Sequence, residues 1–293
     1  MILVTGATGL NGGELVRLLS SRGIPVRALV RDASRAAALA SLPNVEIVQG
    51  DMAHPETLAE PLRGVDRAML ISTSNPTMLE VQSNFIGAAR KAGVRHVVKL
   101  SGIIPDIDSP FRFARMHGEI ELKLESSGIA FTHLRAGEFM HSYFRQVPAI
   151  VARGALFLPM EDARIASIDV GDIAEVAARA LTESGHEGKT YPLTGPEALT
   201  MEEVAEKLSA ATGREIHYVN VAPEEAKKTR LAAGVPEYTA DALDELFTER
   251  RQGKESHVYP TFEAIVGRRP TSFDDFARRN AAIFRGEQPA PKV

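Results

Sequence analysis

Three glycines near the start of the chain, in ILVTGATGLNGGELVRLL, stand where backbone must come close to something else. Gly6, Gly9 and Gly12 form a G-x-x-G-x-x-G pattern that follows an apolar run and opens an amphipathic one. In a strand–turn–helix unit the first glycine permits the tight turn and the second lets backbone approach a pyrophosphate. The third lets the helix close onto the sheet. The helix start adds free N–H groups and the positive end of its dipole. Ala7, Thr8, Leu10 and Asn11 complete the cradle, and the side chains of Thr8 and Asn11 can add hydrogen bonds. The pattern predicts a dinucleotide cofactor; the alternative is a glycine turn with a purely structural role.

The end of the next strand, PVRALVRD, decides which nucleotide. An acid there would bind the ribose 2′-hydroxyl of NAD, and an arginine the 2′-phosphate of NADP. Arg31 and Asp32 are adjacent. Arg31 comes first after the apolar run, whereas Asp32 has the type and place of a cap for the following helix, with Ser34 as its rival. Arg31 therefore favours NADP; a solvated surface arginine is the alternative. Later strand ends should line the same groove. They are Asp51 and Met52 in QGDM, Ile71, Ser72 and Thr73 in LISTSN, and Ser101 and Gly102 in KLSG. Each alone could serve a plain turn, and their weight lies in joint placement.

The elements that position these residues follow from the apolar pattern. Residues 2–5, 25–30, 45–48, 68–72, 96–100 and 130–134 are short runs rich in Val, Ile and Leu with little alternation, as in strands buried on both faces. Amphipathic stretches at 13–22, 34–42, 57–62, 79–92 and 110–126 lie between them. The alternation predicts an α/β protein with a Rossmann-type, doubly wound parallel sheet. The rhythm breaks after Gly137, which divides the chain into a nucleotide-binding domain over 1–136 and a smaller α/β C-terminal lobe over 137–293. A later strand returning to the sheet is allowed, and the lobe is expected to form the second wall of a cleft. TMEEVAEKLSAATG carries a capping box, Thr200 with Glu203, and a glycine stop at Gly213. The closing RGEQPAPKV reads as a loose tail.

Composition excludes several function classes. The 293 residues carry a net charge of −4 with both signs spread along the chain, which supports neither a nucleic-acid nor a membrane partner. There is no cysteine, so no disulfide or thiolate chemistry is available, and a cytoplasmic setting fits. No apolar run approaches ~20 residues. The eight histidines show no metal-binding spacing, and no G-x-S-x-G elbow is present. No metal is expected.

Taken together, VTGATGLNG, ALVRD, IVQGDM, KAGVRHVVKLSG, ARMHGEIELKLESSGI, SGIAFTHLRAGEFM, IASIDVGDIAEVAARAL and HEGKTYPLTG resemble the NmrA-like branch of the atypical short-chain dehydrogenases. Within it the likeness is to NADPH-dependent quinone reductases and triphenylmethane dye reductases. It covers residues 1–218, and AIVGRRPTSFDDFARRNAAIF resembles the C-terminal segment. The resemblance implies an NADPH-dependent oxidoreductase acting on a small aromatic, quinone-like acceptor; a homodimer is compatible with it. It places Gly137, Glu138 and Phe139 of LRAGEFMHSYF at the nicotinamide. Tyr143 and Phe144 become an aromatic acceptor wall, with core packing as the alternative.

Typical short-chain dehydrogenases move a proton with a Tyr-x-x-x-Lys pair. None of the five tyrosines here is followed by lysine four residues on, and Phe113 and His117 stand in the places of the pair. Alcohol oxidation and sugar epimerisation lose their acid. A quinone or a cationic dye is already electrophilic and needs alignment with the nicotinamide more than an acid. His117 is the candidate polariser or proton donor, with Tyr143 second. A non-catalytic redox sensor, binding the dinucleotide and regulating a protein partner, is the rival reading.

Overall fold

The structure, a computed structural model, describes residues 1–291; Lys292 and Val293, the end of the expected loose tail, lie outside the described residues. In chain order the elements are β1 (Ile2–Val4), α1 (Leu10–Ser21), β2 (Val26–Val30), α2 (Ala37–Ala40), β3 (Val45–Gln49), β4 (Arg67–Leu70), α3 (Met78–Ala92), β5 (His96–Gly102), α4 (Arg112–Glu125) and β6 (Ala130–Ala136). Then follow α5 (Val147–Arg153), β7 (Ala155–Leu158), α6 (Val170–Thr182), β8 (Lys189–Leu193), α7 (Met201–Thr212), β9 (His217–Asn220) and α8 (Pro223–Ala232). The last are α9 (Glu237–Arg251), α10 (Thr261–Val266), α11 (Phe273–Arg279) and α12 (Ala281–Phe284).

The chain forms two compact units. The first holds residues 1–109, 113–136 and 170–192, and the second holds 110–112, 137–169 and 193 onward. In the first unit a seven-stranded sheet runs in the order β3-β2-β1-β4-β5-β6-β8. The pairings from β3 through β6 are parallel, with Leu3 opposite both Arg27 and Ala68. Leu3, Val4, Ala28, Ala68, Leu70, Val97 and Val98 are fully buried, which is why these strands read as unbroken apolar runs. Strand order reverses between β1 and β4. In a doubly wound sheet that switch point, outside the C-terminal strand ends, is where ligands bind.

Three local differences from the sequence reading have simple causes. The stretch 57–62 is not an α-helix; a single 3₁₀ turn covers Pro55–Leu58, because so short a run cannot repay helix nucleation. There the Thr57 hydroxyl donates to the His54 carbonyl at 2.6 Å and accepts the Asp51 N–H at 2.9 Å. The 34–42 helix opens as a 3₁₀ turn over Ala33–Ala36 and becomes α-helical only at α2. The region 137–293 is not one lobe: β8 returns to extend the sheet beside β6, as the sequence reading allowed, and α6 goes with it and packs on α1.

In the second unit β7 and β9 pair in parallel, and an aromatic core gathers Tyr143, Phe144, Phe247, Phe273, Phe276 and Phe284. Phe276 stacks on Phe144 at 5.5 Å between ring centres. Helix α7 begins with the expected capping box: the Glu203 N–H donates to the Thr200 hydroxyl at 3.2 Å, and the Thr200 N–H donates to the Glu203 carboxylate at 2.9 Å. Gly213 closes the helix in the left-handed region. Among the described residues no helix is long and apolar enough to cross a membrane.

Thr200→Ala removes one arm of that box. The expected loss is about 1 kcal/mol in a urea titration, with dinucleotide affinity unchanged. An unchanged midpoint would show that the cap does not hold α7.

Candidate active site

The turn after β1 is built on contacts that only glycine allows. Gly6 has a φ of +60°, and a Cβ there would sit 3.2 Å from the Ile71 carbonyl oxygen. At Gly12 a Cβ would stand 2.3 Å from the Gly6 carbonyl oxygen, an impossible contact with backbone. The Gly9 N–H donates to the same carbonyl at 2.9 Å, and Gly9 then serves as the cap of α1 without a capping side chain. No acid lies in the first turn of α1. The helix thus presents uncapped N–H groups and an uncompensated positive dipole end to the groove, a fit to a pyrophosphate. Thr8 and Gly9 are exposed at the turn, Ala7 is buried, and Leu10 and Asn11 are partly so. The Asn11 Oδ1 is buried with no partner.

Thr5 secures this turn from behind. Its hydroxyl donates to the Ile71 carbonyl and accepts the Ile71 N–H, both at 2.7 Å, which ties the end of β1 to the end of β4. The sequence reading passed over Thr5, although a fully buried hydroxyl at a strand end must find partners.

One strand over, Asp32 takes the expected cap. The Asp32 carboxylate accepts the Ser34 N–H at 3.0 Å and its hydroxyl at 2.7 Å, capping the next turn and holding the carboxyl below its usual range. Arg31 is exposed, and its guanidinium has no ion pair among the described residues. An uncommitted cation beside the glycine cradle fits a 2′-phosphate and leaves a 2′-hydroxyl without its acid.

The remaining first-unit candidates also stand at C-terminal strand ends. Asp51 lies beyond β3 and accepts the Ala53 N–H at 3.0 Å. Met52 is not a free apolar face, because its side chain packs against the core of this unit and its carbonyl accepts the Asn84 amide at 3.0 Å. After β4, Ile71 is buried and Thr73 exposed, and the Ser72 hydroxyl accepts the amide of Gln82 at 2.8 Å. Ser101 and Gly102 belong to β5 itself, which runs two residues further than expected.

A feature absent from the sequence reading lies beneath them. Lys99 on β5 is fully buried. Its Nζ lies 2.9 Å from His117 Nδ1 on α4 and donates to the Ser101 hydroxyl at 3.0 Å and the Leu100 carbonyl at 3.4 Å. Burial pushes the ammonium down to about 7, although nearby Glu121 pulls the other way. Burial and the adjacent Lys99 hold His117 well below its ordinary range, so the imidazole is neutral near pH 7. Burial works against charge on Glu121, but the Arg135 guanidinium, at 2.6 Å, together with nearby His133 and a hydrogen bond from the Ser101 hydroxyl, outweighs it and keeps the carboxyl low. The signal for Lys99 was in plain view: a lysine inside HVVKLSG, a strand buried on both faces, must be paired.

The candidates after Gly137 lie in the second unit. Gly137 is held by its N–H on the Leu193 carbonyl at 2.9 Å, and a Cβ there would meet the Ala166 carbonyl at 3.1 Å. The Glu138 carboxylate is committed to Arg250, which also donates to Glu255 at 3.0 Å. Phe139 bridges to Ile168 and is partly buried. Tyr143 and Phe144 are corrected from acceptor wall to core. Tyr143 is 5% exposed and edge-on to Phe273 at 5.2 Å, and burial pushes its phenol up to about 12. Such a hydroxyl does not ionise near neutral pH.

Comparison with known proteins agrees with the fold. The NmrA-like family pattern matches residues 1–275. The NAD(P)H azoreductase of Xenophilus azovorans is 39% identical over 284 residues, 97% of this chain and 99% of that protein. The NADPH-dependent quinone oxidoreductase of Escherichia coli, solved with NADPH, superposes with a TM-score of 0.87 at 31% identity, covering 95% of this chain and 99% of that one. The Citrobacter triphenylmethane reductase, solved with NADP(H), superposes at 0.84 with 27% identity, covering 96% and 100%. With its Rossmann-type sheet, its glycine turn and a match across nearly its whole length, the chain belongs to the NmrA-like family.

Proposed function

We propose that this chain reduces a small aromatic, quinone-like acceptor with hydride from NADPH. It is an NAD(P)H-dependent oxidoreductase of its family, and the finer reading rests on what stands at the switch point. The observation that carries it is the uncapped start of α1 on its glycine cradle with the uncommitted Arg31 one strand over. When bound, NADPH supplies the hydride from its nicotinamide ring.

The chain's own residues bind and orient. Gly6 to Gly12 and the N–H groups of α1 would hold the pyrophosphate, and Arg31 the 2′-phosphate. Asp51, Ile71, Ser72 and Thr73 would border the adenosine, with Met52 contributing backbone, and Ser101 and Gly102 the second ribose. The resemblance adds Gly137, Glu138 and Phe139, which follow β6 directly. On α4, Phe113 and His117 replace the tyrosine and lysine that alcohol chemistry would need. An acceptor that is already electrophilic suits such a site, since hydride transfer then depends mainly on approach to ~3–3.5 Å. The relatives' names point the same way: azo compounds, quinones and triphenylmethane dyes are all conjugated and electron-poor.

Two outcomes are expected. NADPH oxidation followed at 340 nm with a panel of quinones, azo compounds and one cationic dye should give steady turnover, fastest on a quinone. Tight binding without turnover on any of them would favour a redox sensor instead. Arg31→Ala should weaken NADPH about 10–100-fold, the worth of a charge-assisted phosphate contact, and leave NADH unchanged. An unaltered NADPH preference would remove Arg31 from the site. Gly12→Val should abolish dinucleotide binding while the far-UV spectrum stays that of a folded α/β chain; retained affinity would contradict the cradle.

A further inference from the structure

The first unit holds a buried cation that cofactor binding does not use. Lys99 points from β5 toward the C-terminal end of the sheet and ends on His117 Nδ1. The groups facing it are few. Ser101 lies on its own strand, His117 and Glu121 come from α4, and His133, its register partner, comes from β6 together with Arg135. Glu121 is occupied by Arg135, and His133 turns its Nε2 to Glu125 at 3.1 Å. Of these, only Ser101 and His117 take a hydrogen bond from the Lys99 ammonium.

That bond fixes the imidazole. An ammonium has three protons and no lone pair, so it can only donate to Nδ1, and the neutral ring must carry its hydrogen on Nε2. The Nε2 edge lies over Gly102 at the end of β5: a Cβ on Gly102 would stand 3.3 Å from His117 Cδ2 and 3.8 Å from Nε2. His117 is half-buried, and Nε2 has no partner among the described residues. Any side chain at position 102 would cover it.

We infer that Lys99 and His117 form a proton relay that serves the reduced acceptor, with His117 the donor and Lys99 the positioning residue behind it. The inference rests on the reductase reading above. Hydride delivery to a quinone makes a hydroquinone oxyanion, which must gain one proton. The His117 Nε2–H bond breaks as the new O–H bond forms. An Nζ–H bond of Lys99 breaks as Nδ1–H forms, so the ring ends as the other neutral tautomer and Lys99 as a neutral amine. Solvent returns both to the starting state between turnovers. No imidazolate and no imidazolium is needed, which matches a histidine that burial keeps neutral. An ammonium that releases its proton near neutrality is suited to such a handover.

The acceptor separates this relay from a merely structural lysine. A quinone needs hydride and a proton, whereas a cationic triphenylmethane dye needs hydride alone to become neutral. In Lys99→Met and His117→Gln, quinone turnover should fall by roughly 100-fold or more, and at least about tenfold more than dye turnover. The wild-type quinone rate should fall as pH rises through about 7, where Lys99 loses its proton, and Lys99→Met should lose that step. Independently of turnover, ¹⁵N NMR of the protein without acceptor, recorded below pH 7 where Lys99 is an ammonium, should find His117 as the Nε2–H tautomer, and Lys99→Met should shift it toward a mixture. Equal losses on both acceptors, or an Nδ1–H ring in the wild type, would overturn the relay and leave the reductase standing. Failure of the wild type on every acceptor would overturn both. Retained NADPH affinity shows that each variant is folded; if Lys99→Met does not fold, His117→Gln and the wild-type tautomer decide.

Discussion

The α-carbon of Gly12 lies so close to the carbonyl of Gly6 that no side chain fits between them. That single approach brings the start of α1 down onto the end of β1. It is what turns the unsatisfied amides of Leu10, Asn11 and Gly12 into a concentrated positive site at the sheet's switch point. The rest of the groove is arranged around keeping this contact. Thr5 laces β1 to Ile71, so the turn cannot slide along β4. Gly6 takes the left-handed conformation the turn demands. Asp32 spends its charge on a local cap, which keeps an anion away from the site where a phosphate would lie.

The other end of the groove uses a different electrostatic regime. At the α1 end the partial charges face solvent. At the end of β5 the charges are buried, and the protein supplies their partners itself. Glu121 and Arg135 neutralise each other, and Lys99 is left with neutral acceptors, a hydroxyl, an imidazole and the Leu100 carbonyl. In that setting a full ammonium is costly, which is why its proton becomes available near neutral pH. A short-chain dehydrogenase built on tyrosine and lysine obtains its labile proton from a phenol. Here the candidate phenol is unsuited: Tyr143 is locked in the second unit's core, with its hydroxyl 4.0 Å from the Met201 sulfur.

Much of the first unit was legible in the residues because parallel strands buried on both faces leave a strong mark. Runs such as ILV and HVV can be little else, and the glycine spacing fixed the position of the cradle to the residue. The role of Asp32 as a cap was readable from its type and place before the next helix. What was not legible depended on three-dimensional company. Nothing local distinguishes Tyr143 as core from Tyr143 as acceptor wall; the deciding neighbours, Phe273 and Met201, are far along the chain. The return of α6 and β8 to the sheet came from faces that match α1 and β6, a long-range fit no local pattern displays. Lys99 was visible as an anomaly, a cation in a buried strand, but its partner His117 lies 18 residues away and only the packing of α4 brings them together.

The central claim is that this groove delivers hydride, and isotopic labelling tests it most directly. NADPH deuterated at the transferring C4 position would be compared with unlabelled NADPH during single-turnover reduction of a naphthoquinone. Oxidation slowed about two-fold or more, followed by continued turnover when cofactor is resupplied, is the result expected of hydride transfer at a well-aligned site. Tight NADPH binding with no oxidation of either isotopologue, by quinone or by dye, would contradict it and leave a protein that holds the dinucleotide without using it.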